Sequence, residues 1–189
     1  MTMAISLDIE TLSTHKNAVV LTIGATTISL DGSDERTFHL RLDAQEQIDM
    51  GRHVSISTIA WWMNQTAEAK RAAFEGHTVS ARTALELLRT WIAEEGHPPI
   101  YTNGPAFDGA ILETLAEDCR VMPAWSYRQH RCYRTVEESI LMVDDEALYD
   151  RFSARKTRIY EKLVAHNALE DAKAQGEIVR FWMKELRGE

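Results

Sequence analysis

The sequence predicts an α/β fold built on a mixed sheet, and three observations point to it. Residues 4–10, 19–29 and 36–42 carry strand patterning and are joined by short connections, as in an antiparallel meander. After Leu42 the apolar residues recur mainly at helical spacing. A short apolar run at 100–102 then falls between helical segments. Crossover helices permit such strands to be added in parallel beside the meander.

The elements follow in order. In residues 4–10, Ile5, Leu7 and Ile9 alternate with Ser6, Asp8 and Glu10, so one face seeks a core and the two acids share the other. Residues 19–29 form the second strand, followed by the turn signal Asp31-Gly32. In residues 36–42, Phe38, Leu40 and Leu42 fall on one face. A short helix is expected at 44–50. Another, capped by Ser57 or Thr58, carries Trp61, Trp62 and Gln65, and an alanine-rich helix covers 66–74. Leu85, Leu88 and Ile92 mark the face of a helix over 81–95, stopped by Gly96 and Pro98-Pro99. Beyond the strand at 100–102, the turn Asn103-Gly104-Pro105 leads into a helix over about 107–117, with Asp108 at its start. A strand within 124–133, a helix over 135–143 and a helix over 146–163 follow. The last helix runs from about 168 to 187, with Asn167 as its cap and Asp171 in its first turns.

Bulk composition narrows the class. The 189 residues suit a single domain, 1–189, able to bury a substantial core, and 44% are hydrophobic. Asp8 and Glu10 interrupt the only early apolar run, so no targeting signal is expected. No stretch approaches membrane-spanning length. Cys119 and Cys132 have neither metal-binding nor redox spacing, and a reduced, cytoplasmic protein is expected. A formal charge of −8 argues against a broad basic nucleic-acid surface. A divalent cation in a carboxylate pocket would offset the repulsion of phosphate.

Asp8 and Glu10 are the first chemical clue. Two acids one residue apart on a strand point the same way, and their repulsion calls for a compensating cation. Oxygen ligands of that kind suit magnesium, with manganese as an alternative. Read singly, Asp108 is a helix-start acid that complements the dipole, Asp171 a surface acid, and His166 a donor near a helix start. Their weight comes from being taken together.

Three motifs in order carry a family resemblance: Asp8-Ile9-Glu10-Thr11, Asn103-Gly104-Pro105-Ala106-Phe107-Asp108 and His166-Asn167-Ala168-Leu169-Glu170-Asp171-Ala172. With them the sequence resembles, over essentially its whole length, the 3′-5′ exonuclease family called DEDDh for its four acids and histidine. Ser57-Thr58-Ile59-Ala60-Trp61-Trp62 with Gln65, Pro123-Ala124-Trp125, Arg131 and Arg134-Thr135 resemble a compact bacterial and phage group within it. Other members often carry an aspartate where this chain has Arg134.

The resemblance implies a ribonuclease-H-like sheet of five or six strands, three antiparallel with parallel additions, flanked by helices. It implies two magnesium ions (manganese as the alternative) held by Asp8, Glu10, Asp108 and Asp171. Asp8 would touch both ions, and His166 would act as general base. The implied partner is the 3′ end of single-stranded DNA or RNA, and a homodimer to which Trp125 or Trp182 adds apolar area is a further implication.

Around that centre, Thr11, Leu12 and Phe107 are expected to hold the terminal nucleotide, with Asn103 beside them in the second motif. One of Trp61 and Trp62 stacks on a base or both pack internally; neighbours on a helix cannot face one partner equally. Thr58 and Gln65 touch substrate or else cap and solvate their helix. Arg131 and Arg134 meet phosphate or else form surface salt bridges. An oligoribonuclease-like or RNA-trimming enzyme is the nearest alternative function. A non-catalytic nucleic-acid-binding or proofreading module is the alternative from another class.

Overall fold

The computed structural model describes residues 2–32, 35–161 and 163–188. Its sheet has five strands in the order β3-β2-β1-β4-β5. These are β1 (Ala4–Thr11), β2 (Val20–Ile28), β3 (Thr37–Arg41), β4 (Ile100–Thr102) and β5 (His130–Cys132). The first three are antiparallel neighbours, whereas β1, β4 and β5 run parallel. The mixed α/β sheet expected from the patterning is the one observed, with β1 at its centre.

Helices close both faces. On one side, α4 (Ala81–Glu94) and α5 (Ala110–Cys119) pack Leu85, Leu88, Ile92, Ile111, Leu112 and Leu115 against Ile5, Leu7, Ile9 and Ile23. Each such fully buried aliphatic side chain contributes about 1.5–3 kcal/mol. On the other side lie α6 (Tyr133–Leu141), α7 (Glu146–Tyr160) and α8 (Ala168–Glu185), whose core joins Ile28, Tyr133, Ile140, Phe152, Ile178 and Val179. The short helices α1 (Ala44–Asp49), α2 (Ile56–Met63) and α3 (Ala67–Phe74) connect β3 to α4. Among the described residues, no helix is long and apolar enough to cross a membrane.

Several boundaries differ from the sequence expectation for physical reasons. The helix expected at 107–117 begins instead as a π-helical turn over Pro105–Gly109 and becomes α-helical only at Ala110. Gly104, at φ 126°, lets the chain turn sharply into it. Asp108 therefore sits on the π turn, before α5. The strand expected within 124–133 is reduced to three residues. Residues 126–129 close a turn, with Gln129 N–H donating to the Ser126 carbonyl at 2.9 Å. The N-cap of α2 is Ser55, not Ser57 or Thr58, and the Ser55 and Ser57 hydroxyls pair at 2.6 Å. Of the stretch 146–163, α7 covers Glu146–Tyr160, and Lys162 lies outside the described residues. Trp125 is 7% exposed, buried in the first core with its Nε1 donating to Glu113, so it offers no dimer surface. Trp182 packs against the second core.

Candidate active site

The site lies at the carboxyl ends of the parallel strands, the usual crevice of an open α/β sheet. Asp8 and Glu10 project from the last half of β1, Asn103 follows β4, and Arg134 follows β5. Their face of β1 is not open to water as simple alternation would suggest, because α8 lies across it. Gly24 is Asp8's partner in register on β2, and a Cβ there would stand 2.2 Å from the backbone of Ala168 and Leu169. Glycine at that position is what lets the start of α8 reach the sheet. Asn167 caps α8 by accepting from Leu169 and Glu170 N–H, as its position in the sequence suggested.

The helix start then sets two site residues. His166 has φ 64°, and the Asp171 carboxylate accepts the backbone N–H of both His166 and Asn167. This bent segment presents the His166 ring edge-on to Trp61, with ring centroids 4.6 Å apart. One ligand atom from each of Glu10, His166 and Asp171 lies within 4.8 Å of the others, a grouping able to hold a metal ion. A cleft of about 280 Å³ brings these three together with Asp8, Asp108, Asn103, Phe107 and Arg134.

Electrostatics mark the carboxylates as unfavourable neighbours when nothing neutralises them. Burial raises the Asp8 carboxyl well above its usual range, and repulsion from Asp108, Glu10 and Asp171 raises it further. Burial, then Asp171 and Asp108, push Glu10 to about 8. Asp108 rises to about 7 through burial, despite accepting backbone N–H groups and facing the Arg134 charge. Asp171 is raised too, first by burial. Asp108 Oδ2 is buried without a hydrogen-bond partner. Oxygen donors held together at such cost, one of them unpartnered, fit a hard divalent cation.

A second cavity, about 440 Å³, adjoins the cleft through Glu10, Phe107 and His166. Thr11, Thr58 and Trp61 line it, together with Thr14 and Ser57. Trp61 is 42% exposed, while Trp62 is 2% exposed and donates its Nε1 to the Thr11 carbonyl at 2.9 Å. The two tryptophans thus divide between cavity wall and core. Two residues expected to touch substrate do not line these two spaces. Leu12 turns into a small apolar cluster with Val19, Leu21 and Trp62. Gln65 donates to the Trp61 carbonyl and lines a neighbouring hollow with Leu163 and Val164.

Other cleft residues went unnoticed in the sequence. Gln175, 4% exposed, donates its Nε2 to Asp8 Oδ1 at 2.9 Å. It stands four residues after Asp171 on one helix, and that i,i+4 spacing was a usable signal. Tyr160 closes the cleft from the end of α7, and nothing in its local sequence announces that.

Comparison with known proteins agrees with this geometry. Residues 3–183 match the family model described as the 3′-5′ exoribonuclease Rv2179c-like domain. No curated protein matches the chain. Among solved structures, the chain is similar to the nuclease domain of 3′hExo, a DEDDh family member, in its crystal structure bound to rAMP. That likeness has a TM-score of 0.60 at 10% sequence identity and covers 96% of this chain and 92% of that one, so it is a likeness of fold. The family-model match over nearly the whole chain shows that the protein belongs to the 3′-5′ exoribonuclease Rv2179c-like domain family.

Proposed function

We propose that the protein, as one exonuclease domain over 1–189, shortens single-stranded RNA from its 3′ hydroxyl using two magnesium ions, with manganese as a substitute. One observation carries this reading. Four acids with raised pKa values and His166 converge in a cleft that opens directly into an aromatic-walled cavity. Such a pair of spaces suits a scissile phosphate in the first and a terminal nucleotide in the second. The family description favours RNA over DNA.

Asp8, Glu10, Asp108 and Asp171 would hold the ions, which neutralise phosphate charge and make a water easier to deprotonate. His166 receives the proton of the attacking water on a ring nitrogen and later releases it to solvent. Its bent backbone and the edge of Trp61 keep that ring at the mouth of the cleft. Water oxygen joins phosphorus, the bond to the 3′ oxygen of the preceding nucleotide breaks, and that oxygen takes up a proton. A nucleoside 5′-monophosphate leaves. Thr11, Thr58, Trp61 and Phe107 line the space for its base and sugar, while Asn103 orients Arg134 by accepting from its Nε at 3.0 Å. The free thiols of Cys119 and Cys132 suit a reducing, cytoplasmic setting.

End-labelled linear RNA, linear DNA and circular single strands, incubated with magnesium or with EDTA, test the reading. Stepwise shortening of linear RNA only when magnesium is present is expected. Efficient cutting of the circle would overturn it, because a circle has no end; faster loss of DNA would overturn the choice of RNA.

A further inference from the structure

Beyond Arg134, the edge of the sheet carries two further arginines that this chemistry leaves unused. Arg128, Arg131 and Arg134 are exposed at three-residue intervals along and beside β5. Arg131 is in register with Tyr101 on β4, and Tyr101 with Ser6 on β1. In-register strand residues share a sheet face, so Arg131 stands on the same face as Ser6, Asp8 and Glu10. Its guanidinium donates to the carbonyls of Arg128 and His130 at 2.7 and 2.8 Å. The Arg128 guanidinium lies 5.6 Å from the ring centre of Tyr127, itself 78% exposed.

None of these three arginines forms an ion pair among the described residues. Arg36, Arg52, Arg82, Arg151, Arg155 and Arg180 all do. Arg134 faces Asp108 across the cleft, and exposed guanidiniums that form no ion pair are a local positive field on a chain of net charge −8. Among the described residues no strand covers it, because β5 is the edge of the sheet. The hollow beside it, about 410 Å³, is lined by Tyr101, Pro105, Arg131, Cys132 and Trp182. Asn103 and Arg134 of the carboxylate cleft flank the same two chain segments. The three spaces therefore follow in order: aromatic cavity, carboxylate cleft, arginine-lined edge.

Resting on the proposed 3′-end reaction, we infer that this edge is the track for the part of a single-stranded RNA lying 5′ of the scissile bond. Arg134 meets the phosphate nearest the cleft, and Arg131 and Arg128 meet those farther back. Tyr127 and Trp182 offer ring faces to the bases. From Arg128 to Arg134 the chain spans at most about 20 Å, at roughly 3.3 Å per residue. The track is thus short, holding a few nucleotides, and agrees with the net charge of −8. Its contacts are to phosphate, so it confers length preference without sequence preference.

The test pairs the Arg128→Ala/Arg131→Ala variant with dinucleotide and decanucleotide RNA. Both residues are exposed and lie outside the carboxylate cleft, and thermal melting checks that the fold persists. With magnesium, the variant should lose about tenfold in kcat/KM on the decamer and keep wild-type rates on the dinucleotide. The slope of log affinity against log salt should fall by about 1.4, from about 0.7 per phosphate contact on single strands. Anisotropy of a labelled decamer in EDTA reads binding without turnover and should weaken by a similar factor. Unchanged decamer binding, or equal losses on both lengths, would overturn the track. A wild type that binds the decamer through these arginines but cleaves nothing would sink the exonuclease reading and leave the track standing.

Discussion

On one face of β1, Ile5, Leu7 and Ile9 meet the leucines and isoleucines of α4 and α5. On the other, Ser6, Asp8 and Glu10 lie beneath α8, which answers with Asp171, Gln175 and Gly176. Covering the first face releases free energy, because apolar area leaves water. Covering the second costs free energy, because charged groups lose water and approach like charges. Ser6 is fully buried with its hydroxyl unpartnered, Glu10 is 8% exposed, and the Gln175 Oε1 is buried without a partner. A strand that holds both faces shut uses its apolar side to stabilise a polar side kept for chemistry.

The sharpest way to break this comparison is to alter neighbouring residues on opposite faces. Asp8→Asn should lower kcat by on the order of a thousandfold, the several kcal/mol of charge stabilisation lost with a metal ligand. Its metal-free melting temperature should not fall below the wild-type value. Leu7→Ala should do the reverse, costing about 2–5 kcal/mol of stability and leaving kcat near normal well below the melting temperature. Turnover and denaturant melts on both variants decide it; a folded Leu7→Ala protein as inactive as Asp8→Asn would show that the faces are not separable.

His166→Ala should slow the single-turnover rate by about 10²–10⁴, the usual worth of a general base. Magnesium affinity by calorimetry should change little. A matching collapse in affinity would instead make His166 a ligand with Glu10 and Asp171, a role that their spacing also permits.

Stability of the metal-free protein should depend on pH in an unusual direction. Glu10 rises from 4.5 to about 8, and Asp108 from 3.8 to about 7. The folded state therefore binds more protons than the unfolded state between these limits, and its stability falls as pH rises. This contribution is fully present below about 4 and is gone once pH passes about 8. Melting temperatures across that window in EDTA should decline, and saturating magnesium should flatten the decline by binding the ionised form. A rising metal-free curve would contradict the buried, mutually repelling acids.

The smallest expected effect belongs to Gln175→Leu. Removing the amide that orients Asp8 should weaken magnesium binding and turnover by about tenfold, as loss of groups supporting metal ligands commonly does. Calorimetry and turnover that both match wild type would show that hydrogen bond to be idle.

Much of the site was legible in short segments. The spacing Asp8-Ile9-Glu10 predicts two carboxylates on one face, because strand geometry is local. Asn167 is recognisable as a cap, because capping involves only the next few backbone groups. Leu12, Gln65 and Trp125 were less legible. Each is suited to substrate or partner contact by type, but Leu12 and Trp125 enter cores and Gln65, which follows α2, bonds the Trp61 carbonyl of that helix. Their surroundings come from distant elements that composition does not reveal.

By itself, the sequence determined the three-stranded start, the final helix and the identity of the acids and histidine in its motifs. Those features arise from the backbone's own periodicities, from caps and from residue types in fixed order. Only the tertiary structure decided that α8 lies close enough to seal the polar face of β1, since that depends on Gly24 yielding space to Ala168. Only it joined Gln175 to Asp8 across 167 positions, and aligned Arg131 with the acid-bearing face of β1 through two parallel pairings. Parallel strands are paired through long crossovers, so their relative placement is set by how helices pack on the sheet and not by any neighbouring residues in the chain.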